Sequence, residues 1–111
     1  EVIIDPSNVA SIMATVDLAV ISFGMIAYEI AALRIPAIYI PSSGDHALSA
    51  TALVNEKMGV SLGFHGSLNS RLLKKELIKM IKKIGENYFV DRSNNLIDGL
   101  ATERIARLIL Q

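Results

Sequence analysis

The passage that most narrows what this chain can fold into is AVISFGMIAYEIAALRIPAIYIP, beginning at Ala19 and ending at Pro41. Its two ends are unbroken apolar runs with no polar alternation, so neither offers a face to water. Runs of that kind are strands buried on both sides, the usual condition of a parallel sheet. Gly24 breaks the first run, and a helical stretch rich in Ala, Ile and Leu leads to Pro36 and the second run. Parallel strands cannot be joined by a tight hairpin, and a short helix is the common way back. The crossover is expected to be right-handed.

The same alternation extends along the chain. VII at residues 2–4 reads as a short buried strand, followed by Asp5 as N-cap and Pro6 at the first helical position. Val9, Ile12, Met13 and Val16 follow at helical spacing. Strands are expected over 17–21 and 36–40, a helix over 24–33, and a turn at PSSGD. A helix over 45–57 carries Leu48, Ala52, Leu53 and Met58 on one side and is stopped by Gly59. A weaker strand occupies 60–64. Ser67 or Asn69 then caps a long helix with Leu72, Leu73, Leu77, Met80, Ile81 and Ile84 in one stripe. Lys74, Lys75, Lys79, Lys82 and Lys83 stand opposite, reading as a solvated face, and Gly85 ends the helix. An irregular segment over 86–99 leads to a last helix over 100–110. The expectation is one α/β domain over residues 1–111, Rossmann-like and three-layered, with a parallel sheet of about four strands. The opening EVIID resembles the edge of a strand and reads as a cut from a longer protein.

Composition enters mainly by exclusion. The 111 residues are 51% apolar and 20% charged with zero formal net charge, which fits a globular domain and offers no basic field for nucleic acid. There is no cysteine, hence no disulfide, thiol nucleophile or cysteine metal site, in keeping with a cytoplasmic address. The apolar runs fall well short of the roughly 20 residues of a membrane span. His46 and His65 lack companions at metal-ligand spacing, so neither a metal nor another cofactor is expected.

In parallel sheets ligands bind beyond the carboxyl ends of strands. Two loops there concentrate the polar residues: Ser22, Phe23, Gly24 and Met25 after one strand, and Ser42, Ser43, Asp45 and His46 after the next. Gly24 either simply makes the turn or opens helix N–H groups to an anion such as phosphate. Glu29 lies about 7–8 Å further along the helix, the separation of a nucleotide's diphosphate from its ribose. It is either a surface glutamate or a ribose ligand, and its apolar neighbours make unpartnered burial costly. Asp45 or Ser43 caps the next helix, and His46 has the chemistry for a proton transfer near neutral pH. His65, between glycines, reads as a loop residue.

These residues resemble a family. VDLAVISFGMIAYEIAALRIPAIYIP, then DHALSA, GVSLG and the closing IDGLATERIARLI, are similar to the C-terminal half of GT-B-fold nucleotide-sugar enzymes. The nearest types are the spore-coat polysaccharide biosynthesis proteins and the UDP-sugar hydrolase of pseudaminic acid synthesis. The N-acetylglucosaminyltransferase that makes lipid II is more distant. The resemblance implies a nucleotide-sugar donor site, UDP-linked, in a polysaccharide-biosynthesis hydrolase or glycosyltransferase. It puts the diphosphate at Gly24, the ribose on Glu29, and the sugar near Asp45 and His46. It also implies an N-terminal domain bearing the catalytic base, so that this half alone turns over nothing. Relatives often carry Gly-Gly-Ser-Thr where this chain has Phe23-Gly24-Met25-Ile26, and glycine where it has Arg34 and Ala101. Phosphate contacts here thus fall to backbone N–H groups.

Two other readings differ in class. A receiver domain needs an acidic cluster at strand carboxyl ends, whereas Asp17 begins its strand and no acidic pair precedes it. A degenerate, non-catalytic α/β interaction module is compatible with the loss of hydroxyls at Met25 and Ile26.

Overall fold

The computed structural model describes residues 1–64, 68–88 and 97–111. Their elements are α1 (Val9–Met13), β1 (Ala19–Ile21), α2 (Met25–Ala32), β2 (Ala37–Tyr39), α3 (Gly44–Asn55), β3 (Gly59–Ser61), α4 (Ser70–Gly85) and α5 (Ala101–Ile109). The strands form one open parallel sheet in the order β1-β2-β3. Ala19, Val20 and Ile21 lie opposite Ala37, Ile38 and Tyr39, which in turn face Gly59, Val60 and Ser61. The chain is therefore an α/β domain of the kind its apolar runs dictate.

The pleat sorts the core into two halves. Ala37 and Tyr39 point to one face, where Ala27, Ile30 and Ala31 of α2 and Ala50 and Leu53 of α3 pack on them. Ile38 points to the other and meets Leu62 and Met80, with Leu72, Leu73, Leu77 and Ile84 of α4 around them. β2 is buried on both faces, which is why its sequence shows no alternation. The alanines at 27, 31, 37 and 50 let the two helices approach the sheet closely. α4 buries its stripe as expected, except that Ile81 faces solvent.

Residues 2–4 depart from expectation. No strand forms there, and Val2 and Ile4 are each 85% exposed, so among the described residues the sheet has three strands, not four. Apolar character does not make a strand without a neighbour to satisfy its N–H and C=O groups. The first helix also starts later than Asp5-Pro6 implies. Asp5 adopts a left-handed conformation (φ 49°), and Asn8 is the cap, its side chain accepting from the Ser11 N–H at 3.0 Å. Of the two alternatives for α4, Asn69 is the cap, its Oδ1 accepting from the Leu72 N–H at 2.8 Å. Ser67, with His65, lies outside the described residues, as do residues 89–96 of the segment expected to be irregular.

Three helices end in the same hydrogen-bonded turn. After α2 the Arg34 N–H donates to Ala31 O and the Ile35 N–H to Ile30 O; after α3, Lys57 donates to Val54 and Met58 to Leu53. After α4, Asn87 donates to Ile84 and Tyr88 to Lys83. This Schellman arrangement puts one residue in the left-handed region, a position usually given to glycine. Here it falls to Arg34 (φ 60°), Lys57 (φ 57°) and Asn87 (φ 56°). Lys57→Gly is expected to stabilise the fold by about 0.5–1 kcal/mol, the left-handed penalty of a side chain less glycine's extra chain entropy. Urea denaturation of the variant checks the sign.

α5 begins on an ionic clasp. Asp98 Oδ1 accepts from the Leu100 N–H at 3.0 Å, and both Asp98 oxygens accept from Arg104. The Arg104 hydrogen bonds, then that from Leu100, hold the Asp98 carboxyl below its ordinary value of 3.8. A depressed carboxylate contributes stability above its unfolded pKa and loses it as pH falls through the folded value. Helical circular dichroism should therefore decline as pH falls below about 4, and Asp98→Asn should already have lost that portion at neutral pH.

Candidate functional site

Because β1 and β2 are parallel neighbours, their carboxyl ends deliver two loops to one edge of the sheet. The first runs through Ser22, Phe23 and Gly24 into α2; the second runs through Ser42 and Ser43 into α3. The ring of Phe23 in the first lies 6.2 Å from the His46 ring in the second, centroid to centroid. Ser22, Gly24, Asp45 and His46, expected at one site, share this edge.

The two helix N-termini are built differently. α3 is capped by its own side chain, Ser43 Oγ accepting from the His46 N–H at 3.2 Å. The cap is Ser43 and not Asp45, whose carboxylate stands exposed in the first turn. α2 starts at Gly24 with no side-chain cap. The Ala27 N–H is taken by Gly24 O at 3.0 Å, and the N–H groups of Met25 and Ile26 precede it at the positive end of the helix. A β-carbon added at Gly24 would meet nothing within 4 Å, and its φ of −179° is open to any residue. Gly24 is thus neither strained nor crowded; what it provides is an uncovered approach to the helix end.

Glu29 is on the outer side of α2, exposed, and without an ion pair or hydrogen bond among the described residues. The carboxylate is therefore not buried among its apolar neighbours, and the desolvation cost expected from them does not arise. Phe23 is the opposite case. It is buried and T-shaped against Tyr28 at 5.7 Å and Tyr39 at 5.6 Å, so its ring supports His46 from within the core while its backbone lines the edge. Met25, the first residue of α2, is 77% exposed.

One contact was not anticipated. Ser42 Oγ lies 3.2 Å from His46 Nδ1, a hydrogen bond between residues four apart across the start of α3. It leaves Nε2 as the nitrogen open to a ligand. Ser42 precedes the cap of α3, so the contact depends on how the loop enters the helix and had no periodic signal in the sequence.

Among the described residues no three His, Asp or Glu side chains converge as a metal site would require. No helix among them is long and apolar enough to cross a membrane. Comparison with protein-family models, with curated proteins and with solved structures finds no match to this chain.

Proposed function

We propose that this chain is the nucleotide-sugar-binding part of a two-domain polysaccharide-biosynthesis enzyme of the GT-B type, either a UDP-sugar hydrolase or a glycosyltransferase. The observation that carries the reading is the uncapped N-terminus of α2 at the carboxyl end of β1, with exposed, unpaired Glu29 one to two turns beyond it. The diphosphate takes the Met25 and Ile26 N–H groups, aided by the helix dipole. The ribose hydroxyls donate to Glu29. The sugar extends toward the second loop, where Asp45 and the His46 imidazole contact its hydroxyls. The buried Phe23 ring acts by fixing the backbone of Ser22 and Gly24 and by supporting the His46 ring.

Among the described residues the outer edge of β1 carries no strand, which favours a larger sheet. Val20 points to the α4 side of the sheet and is 43% exposed, although it lies in register with fully buried Ile38. A further strand added at that edge, with its helix on the α4 side, makes β1 a topological switch point, where doubly wound sheets bind nucleotides. That extension gives the Rossmann-like half expected from the family resemblance, a partner N-terminal domain closing the cleft from above.

The division of labour follows. This half holds the departing nucleoside diphosphate, and its N–H groups offset the charge that develops as the bond to the sugar breaks. Positioning of the water or acceptor hydroxyl belongs to the other domain. Glu29→Ala should weaken UDP binding about 10- to 100-fold with the fold unchanged, the loss expected for hydrogen bonds to a charged acceptor. Calorimetric titration with circular dichroism as the folding control measures both. Equal UDP affinity in the two proteins refutes the ribose role.

A second reading, a non-catalytic interaction module, rests on the apolar outer side of α2, where Met25, Tyr28 and Leu33 face solvent around Glu29. Under it the wild-type chain binds no nucleotide.

A further inference from the structure

We propose that the outer face of α4 is a docking surface for an anionic phospholipid bilayer. The chain has no net charge, but its charge is not evenly spread: six of its 11 Lys and Arg residues fall between Arg71 and Lys83. At 100° per residue, Arg71, Lys74, Lys75, Ile78, Lys79 and Lys82 share one arc of about 140°. The buried stripe of α4 occupies the opposite side and is already committed to the sheet. Lys79 is paired with Glu76 at 2.9 Å, and Lys82 reaches Glu86 only at 3.9 Å. Arg71, Lys74 and Lys75 have no acidic partner among the described residues.

The apolar residues on this face decide between anionic partners. Ile78 stands in the middle of the cationic arc at 60% exposure, and Ile81 borders it at 62%. Arg71, Lys74, Lys75, Ile78 and Lys79 line a shallow concavity whose surface is almost entirely aliphatic carbon. Lysine stems and isoleucines with ammonium groups at the rim match a bilayer interface, where carbon enters the acyl boundary and the charges stay at the phosphates. Nucleic acid has no use for the isoleucines. Among the described residues the face also lacks an aromatic side chain for base stacking, and it carries one arginine among lysines, which bind phosphate as point charges and not as bidentate forks. The surface shares no residue with the loops that follow β1 and β2 and does not depend on what binds there.

The test is co-sedimentation of the 111-residue chain with vesicles of equal parts phosphatidylglycerol and phosphatidylcholine, against vesicles of phosphatidylcholine alone and a fluorescent DNA duplex. Binding to the anionic vesicles alone is expected, weakening as salt is raised. Arg71→Gln/Lys74→Gln/Lys75→Gln should lower the partition coefficient about 100-fold, given the attraction of each basic residue to an anionic surface. All three positions are exposed, so the fold should persist, with circular dichroism as the check. Ile78→Ser should weaken binding several-fold while leaving its salt dependence intact. Equal binding to the two kinds of vesicle, no binding to either, binding to the duplex instead, or full binding by the folded triple variant each overturns the proposal.

Discussion

Gly59→Ala is expected to destabilise the fold by about 3–5 kcal/mol, at the severe end for a single substitution. A β-carbon at this position would lie 2.1 Å from Ala37 O, with Ala37 C and N at 3.0 and 3.1 Å. The obstructing atoms are backbone of the central strand, not the tip of a side chain that could swing aside. Gly59 also has φ 158°, a conformation poorly suited to a residue with a side chain. Relief requires β3 to move away from β2, which breaks the bond from the Ala37 N–H to Met58 O and disturbs the pairing beyond it. With a urea slope of about 1.5 kcal/mol/M the midpoint falls by roughly 2–3 M, enough to leave a domain of this size largely unfolded. A midpoint within about 0.5 M of wild type contradicts the close approach of β3 to β2.

The second large effect is at Tyr39. Its side chain is fully buried in the middle strand and joins the sheet to the candidate site, since its ring supports Phe23, whose ring in turn borders His46. Tyr39→Ala removes a large aromatic side chain and leaves a cavity, at a cost of about 3–5 kcal/mol. Tyr39→Phe is the control. The hydroxyl donates to Met58 O at 3.4 Å, and that carbonyl already accepts from the Ala37 N–H at 3.2 Å, so the cost should stay under about 1 kcal/mol. If the two variants were equally unstable, the hydroxyl and not the ring would be holding this part of the core.

These two residues show what was legible in the sequence and what was not. Tyr39 belongs to an apolar run, and β1, β2 and the helices between the strands fall close to where such runs put them, although β2 alone is buried on both faces and β1 leaves Val20 43% exposed. Gly59 was legible only as a glycine after a helix, and its expected role as the stop was wrong. Lys57 takes the left-handed turn, and Gly59 is needed two residues later because a neighbouring backbone occupies the space of its side chain. Such a contact joins residues distant in sequence and leaves no periodic trace. The same limit applies to residues 2–4, where composition gave strand character but could not supply a partner. At the candidate site, the two loops were legible from their polar residues and their place after strands. The burial of Phe23, the exposure of Glu29 and the Ser42–His46 hydrogen bond depend on which side of each helix meets the sheet. Helix α2, apolar nearly all round, gave no indication of that.

Binding of a nucleoside diphosphate at the start of α2 is the step on which the proposed function rests. Its most direct test is a backbone-amide NMR titration of the chain with UDP, with CMP, GDP and inorganic phosphate alongside. Saturable shifts are expected at residues 24–29 and at Asp45 and His46 alone, largest with UDP and lost from the Glu29 end when only phosphate is added. An unchanged spectrum at millimolar UDP, or shifts clustered away from the carboxyl ends of β1 and β2, contradicts it.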